Sequence, residues 1–173
     1  RIFTSPDGHG GAVLALERDG VLADWESRGV DVVCTFQVDN PVLCVVDPEF
    51  LGRLLGQPAP IATKIVLKTD PAEKVGVIVR QGGRPAIVEY SELSAEQQAA
   101  RDPDGQLTYR LGSIAVHAFD LGFLRRVLAT ELPLHTARKE IRCIDENGQR
   151  VRRPGRKFER FLFDLLPQAD DIT

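Results

Sequence analysis

The chain has 173 residues, 43% hydrophobic and 27% charged, the make-up of one globular domain with a sizeable core and not of a disordered or fibrous chain. A net charge of −3 with a pI near 5.7 excludes the global basic field that marks nucleic-acid binders. Apolar runs fall short of the ~20 residues that cross a bilayer, and three cysteines without CxxC spacing read as buried hydrophobes in a reducing, cytoplasmic compartment.

The chain opens at Arg1-Ile2-Phe3 and contains no methionine, which reads as a piece of a longer protein. Thr4 to Gly11 form a glycine-rich loop running into a helix over 12–18. Such a loop suits an anion or nucleotide, because glycines permit close backbone approach and helix-start N–H groups point outward. His9 within it offers a hydrogen bond to a base or phosphate; an ordinary turn is the alternative. A second short helix spans Val21 to Ser27, with Gly29 as its stop.

Val32 to Asn40 reads as the strand around which the chain is organised, buried on both faces. Asp39 falls at its carboxyl end, where ligands bind in open α/β sheets. A carboxylate there suits Mg²⁺, a hard ion that takes oxygen ligands; alternatively, Asp39 caps the turn made by Asn40-Pro41. Asp47 as N-cap and Pro48 at the first helical position start a helix through Leu55.

Three strands follow, over 61–68, 75–80 and 85–90, with Gln81-Gly82-Gly83-Arg84 as a hairpin turn. Lys68 and Lys74 read as solvated. Glu89 faces inward if Ile87 does, and a buried acid needs a partner such as a sugar hydroxyl; alternatively, it starts the following polar segment. Residues 94–101 read as an exposed helix, 111–119 as a strand carrying His117 as a satisfied core histidine, and 120–131 as an amphipathic helix. Residues 134–144 read as a basic strand, 145–148 as a turn, 150–157 as a basic loop and 158–166 as a final helix. On one helix, Phe161 and Phe163 cannot share a face.

Several ordered motifs carry a resemblance. They are Ser5-Pro6-Asp7-Gly8-His9-Gly10-Gly11, Val38-Asp39-Asn40 with Asp47-Pro48-Glu49-Phe50-Leu51-Gly52, and Lys68-Thr69-Asp70-Pro71 leading to Val75-Gly76-Val77. Val88-Glu89-Tyr90-Ser91-Glu92, Gly112 to His117, and Lys157 with Phe161-Leu162-Phe163-Asp164 complete the set. In this order they resemble the eukaryotic-type UDP-sugar pyrophosphorylases, most closely those making UDP-N-acetylglucosamine, from about residue 3 to about residue 166.

The resemblance implies an α/β fold, a mixed Rossmann-like sheet flanked by helices (the nucleotide-diphospho-sugar transferase fold), here incomplete. Residues 1–173 would be the central and C-terminal part of the catalytic domain. The family's glycine-rich, arginine-bearing loop that grips UTP would lie outside the chain, leaving this piece inactive alone. The implied reaction joins UTP and N-acetylglucosamine 1-phosphate into UDP-N-acetylglucosamine and pyrophosphate, with Mg²⁺. By position, Gly8 and His9 would contact nucleotide and sugar, and Asp39 would lie beside metal and phosphates. Gly76, Glu89 and Ser113 would hold the sugar, Phe161 and Phe163 would wall its N-acetyl pocket, and Lys157 would neutralise phosphate. No nucleic acid and no membrane is implied as partner.

His9 and Ser113 stand where the N-acetylglucosamine enzymes usually carry asparagines. A UDP-glucose or broad-specificity UDP-sugar pyrophosphorylase is therefore the rival within the class, and a non-catalytic nucleotide-sugar-binding module the rival outside it.

Overall fold

The computed structural model describes residues 6–128 and 131–173. Thr4 and Ser5 of the expected glycine loop, and residues 129–130 of the expected helix 120–131, lie outside them. The elements are α1 (Gly8–Arg18), α2 (Val21–Ser27), β1 (Val32–Thr35), α3 (Pro48–Leu55), β2 (Ile61–Leu67), β3 (Val77–Gln81) and β4 (Arg84–Val88). They continue with α4 (Ala95–Ala99), β5 (Leu111–Asp120), α5 (Leu121–Val127), β6 (His135–Ile144), β7 (Arg150–Glu159) and a 3₁₀ helix, Leu162–Gln168.

The organising strand is β5, not the 32–40 stretch. β2 follows one edge of β5, from Ile61 opposite Phe119 to Leu67 opposite Leu111. The other edge is shared: β1 pairs from Val32 opposite Asp120 to Thr35 opposite His117, and β3 joins where Val77 faces Gly112. The β3–β4 hairpin completes a five-stranded sheet in which every registered pair is antiparallel.

β1 is only four residues long with Val33 its one buried position, and the expected strand tip at Asp39 lies in an exposed turn beside Val38, itself 96% exposed. The physical reason lies in β5. Lys64 pairs with Val116 but Ile65 with Ser113, so Ile114 and Ala115 form a bulge, with Ala115 at φ 55°. A bulge interrupts the ladder and bends the strand, and past it that edge belongs to β3.

Alternation along the paired strands sorts the two faces. Ile61 and Phe119 enter the main core with Leu22, Leu121, Leu124, Leu165 and Leu166, so α1, α2, α5 and the 3₁₀ helix cover one side. Ala62 and Ala118 point the other way, and their small side chains let Leu54 of α3 pack closely. This is the α/β layering expected of the chain.

Several local signals work as their chemistry demands. Asp47 accepts the backbone N–H groups of Glu49 and Phe50 at 3.1 and 3.2 Å, with Pro48 at the first position. Gly82 and Gly83, at φ 58° and 82°, make the two-residue hairpin turn that needs positive φ at both positions. Ser94 and Gln97 form a reciprocal capping box on α4.

Three expectations are corrected. Lys68 is buried, 4% exposed, and its N–H donates to the Arg110 carbonyl at 2.8 Å, one step beyond the Leu67–Leu111 pair of β2 and β5. Residues 150–157 are not a loop: β7 pairs with β6 along its length, from Ile144 opposite Arg150 to His135 opposite Glu159. The Pro154-Gly155 step suggested a loop, yet Gly155 is where the Ile141 side chain crosses; a Cβ there would sit 2.2 Å from Ile141 Cδ1. The final helix starts later than expected, at Leu162, and is 3₁₀. Among the described residues no helix is long and apolar enough to cross a membrane.

Candidate functional site

The site is assembled where α1 meets the segment joining β7 to the 3₁₀ helix. The glycine stretch is not a loop beside the helix but the first turn of α1. Gly10 N–H donates to the Arg160 carbonyl at 3.0 Å, and Arg160 N–H donates to the Asp7 carbonyl at 3.1 Å. The Arg160 guanidinium also pairs with the Asp7 carboxylate. A Cβ on Gly8, at φ +68°, would lie 2.3 Å from the Arg160 oxygen. The close backbone approach that glycine permits is thus used here by the chain itself.

This clasp sets His9. The Leu162 N–H donates to His9 Nδ1 at 2.9 Å, which leaves the neutral ring's proton on Nε2, as a donor. Burial lowers the His9 pKa, and nearby Glu159 opposes the drop. The ring stacks on Phe161 at 5.3 Å and 29° and tilts against Phe163 at 5.6 Å.

Phe161 is extended, φ −114° and ψ 138°, and precedes the 3₁₀ helix. A spacing of two therefore does not separate the rings; Phe161 and Phe163 stack at 4.8 Å and 27°, which corrects the expected divergence. His135 lies 4.7 Å from Phe161, and its Nε2 is 2.9 and 3.1 Å from the Asp164 carboxylate oxygens. The Asp164 carboxyl is pushed up by burial, with His135 opposing.

Glu89 stands just past β4, half-buried. Burial raises its pKa, Glu92 adds to the rise, and His135 opposes it. Its Oε1 lies 3.3 Å from where a Gly76 Cβ would be, and the Gly76 carbonyl accepts the Ser113 N–H at 2.8 Å. Gly76, Glu89 and Ser113 are thus neighbours. Glu89, Tyr90, Glu92, His135, Glu159 and Phe161 are among the walls of a cleft of about 490 Å³. Phe161, backed by the buried Phe163, beside a half-buried carboxylate and the His135 imidazole suits a sugar, offering an apolar wall to the ring and polar groups to its hydroxyls.

Lys157 reaches Glu159 Oε1 at 2.6 Å, on the ribbon face it shares with His135. Asp39 is exposed in its turn, with no hydrogen bond or ion pair among the described residues. His117 is buried, as expected of a core histidine, but only half satisfied. Nδ1 meets Thr63 Oγ1 at 2.8 Å, while the buried Nε2 has no partner among the described residues. Burial, and then nearby His9, push its pKa down to about 4.

Glu92, His135, Glu159, Arg160 and Asp164 belong to this site and carried no role in the sequence reading. A histidine opening a basic strand gives no local sign that an aspartate 29 positions on will hold it.

Comparison with known proteins fits this geometry. Residues 3–154 match the family model for UTP–glucose-1-phosphate uridylyltransferase. Human UDP-N-acetylhexosamine pyrophosphorylase-like protein 1 is 41% identical over all of this chain, which covers 35% of that protein. The Saccharomyces cerevisiae UDP-N-acetylglucosamine pyrophosphorylase is 36% identical over 94% of this chain and 35% of its own length. The crystal structure of an Entamoeba histolytica protein named for the same activity superimposes with a TM-score of 0.87 at 31% identity, over 100% of this chain and 44% of that one. The chain thus spans about a third of the curated relatives it matches. Matched over 152 of its 173 residues, it belongs to the UTP–glucose-1-phosphate uridylyltransferase family.

Proposed function

We propose that the protein is a cytoplasmic uridylyltransferase that forms UDP-N-acetylglucosamine and pyrophosphate from UTP and N-acetylglucosamine 1-phosphate. The observation that carries this reading is the Phe161 ring, stacked on Phe163 and lining one cleft with Glu89, with Gly76 beside the carboxylate and Ser113 bonded to the Gly76 carbonyl. The names of the relatives support the amino sugar, and three free cysteines support a reducing compartment.

In the reaction, a phosphate oxygen of the sugar 1-phosphate bonds to the α-phosphorus of UTP. The bond from that phosphorus to the bridging oxygen of the β-phosphate breaks, and pyrophosphate leaves with the electron pair. Such transfer depends on positioning and charge neutralisation more than on a protein base. The phenylalanine rings hold the sugar and its N-acetyl group, and Glu89 accepts hydroxyl hydrogen bonds. The His9 Nε2–H donates into the site, and Lys157 neutralises phosphate on exchanging Glu159 for it.

Among the described residues, no three His, Cys, Asp or Glu side chains cluster into a metal cage. Mg²⁺ commonly takes one or two carboxylates and completes its shell with water and substrate phosphates, and the free carboxylate of Asp39 fits that pattern. Bound there, the ion would supply positive charge to the phosphates.

The test is pyrophosphate release by the full-length protein with Mg²⁺, UTP and either N-acetylglucosamine 1-phosphate or glucose 1-phosphate, wild type against Asp39→Ala. Release with the amino sugar, lost in the variant while the melting temperature holds, supports both the reaction and the role of Asp39. Turnover with glucose 1-phosphate alone overturns the sugar. Binding of UDP-sugar without turnover by the wild type leaves a binding module.

A further inference from the structure

His135 opens β6 and is held from three sides. Its Nε2 lies 2.9 Å from Asp164 on the 3₁₀ helix, and its Nδ1 lies 3.6 Å from Glu92 Oε1 in the segment after β4. Across the ribbon it faces Glu159, which is itself paired with Lys157. Its ring meets Phe161 at 4.7 Å and Phe163 at 6.4 Å, with His9 of α1 stacked on Phe161 as well. Glu89 completes the charged groups that feel it.

The Asp164 side chain is 13% exposed, and His135 is the only side chain among the described residues that bonds its carboxylate. A carboxylate so placed fixes the plane of the imidazole, as a hydrogen-bonded acid does for any positioned histidine. The imidazole in turn packs on the aromatic wall and lies among the acids that rim the cleft.

We propose that His135, anchored by Asp164, is the positioning residue of the sugar subsite: it steadies the Phe161 ring and balances the Glu89 and Glu92 carboxylates, and so sets affinity for the sugar phosphate. The inference rests on the uridylyltransferase reading. Two consequences separate it from a purely structural role. Loss of the imidazole acts on the sugar phosphate and not on UTP. It also removes the group that opposes the upward shift of the Glu89 carboxyl, so Glu89 takes up its proton at higher pH and sugar affinity fails earlier on acidification.

The experiment compares full-length wild type with His135→Ala and His135→Gln, measuring kcat, the KM of each substrate and the pH dependence of kcat/KM. His135→Ala is expected to raise the KM for the sugar 1-phosphate about tenfold, the scale of a lost hydrogen bond to a carboxylate, with the KM for UTP unchanged. The acid limb for the sugar phosphate should move to higher pH. His135→Gln, whose amide donates to Asp164 without carrying charge, should recover part of the KM and none of the acid limb; it decides the matter should the alanine variant fail to fold. Wild-type turnover with an unchanged sugar KM in His135→Gln, or with both substrate KM values raised alike, overturns the inference alone. No wild-type turnover with either sugar overturns the functional reading and this inference with it.

Discussion

The Leu162 N–H donates to His9 Nδ1 at 2.9 Å, across 153 residues of chain. One hydrogen bond thus fixes the tautomer of a site histidine and ties the first helix to the last. Replacing His9 with phenylalanine keeps the stacking on Phe161 but leaves the Leu162 N–H without its acceptor. An unsatisfied buried donor costs about 1–3 kcal/mol. Denaturant unfolding should show that loss, and UDP-sugar affinity should fall with it because the Nε2–H donor is gone as well.

Gly8 and Gly20 both have positive φ, +68° and +76°, but only Gly8 faces other atoms; a Cβ there meets the Arg160 oxygen at 2.3 Å. Gly20→Ala should cost about 1 kcal/mol, the penalty of a left-handed alanine. Gly8→Ala adds a clash with backbone to that penalty and should cost about 3 kcal/mol or more. Urea denaturation of the two variants gives the difference directly, and only Gly8→Ala should weaken ligand binding.

His117 should make the protein acid-sensitive. Its ring takes a proton near pH 6.5 in the unfolded chain and near 4 when folded, so the unfolded state binds more protons between those values. Stability from this group is complete above pH 7, falls as pH drops through 6.5 towards 4, and is flat below. The total is about 3 kcal/mol, at 1.36 kcal/mol for each pKa unit. Unfolding free energies measured across this range should fall less steeply in His117→Asn than in the wild type.

Lys157 is committed to Glu159 at 2.6 Å, so phosphate must compete with a carboxylate for it. Glu159→Gln should tighten pyrophosphate binding severalfold, and Lys157→Ala should weaken it by a similar factor, the scale of one partly exposed ion pair. Isothermal titration with pyrophosphate and Mg²⁺ reads both, and equal effects of the same sign would refute the competition.

What the sequence made legible was what neighbouring residues decide among themselves. Asp47-Pro48 capped its helix, Gly82-Gly83 turned its hairpin, and Asp145 to Gly148 turned the ribbon, because each depends on backbone groups a few positions away. Val32 to Asn40 misled because burial is conferred by the partner strand, and the β5 residues that pair with Val32 to Thr35 lie more than 80 positions further on. The bulge at Ala115 leaves no mark in composition. Phe161 and Phe163 were assigned to the site by resemblance, but their stacking required β7 to run through Glu159, which the Pro154-Gly155 step concealed. The glycine stretch reads as room for a nucleotide, whereas at Gly8 and Gly10 the group that comes close is the backbone of Arg160, far along the chain.

The clasp of Asp7 to Gly10 on Arg160 to Leu162 also imposes an order on biosynthesis. At 5–20 residues per second, roughly 8–30 s separate the synthesis of His9 from that of Leu162. During that time α1 can pair with α2, but His9 has neither its hydrogen-bond donor nor its aromatic neighbours. The pocket therefore closes only after residues through Leu162 have left the ribosome, and a stalled nascent chain ending before Arg160 carries the glycine turn open to water.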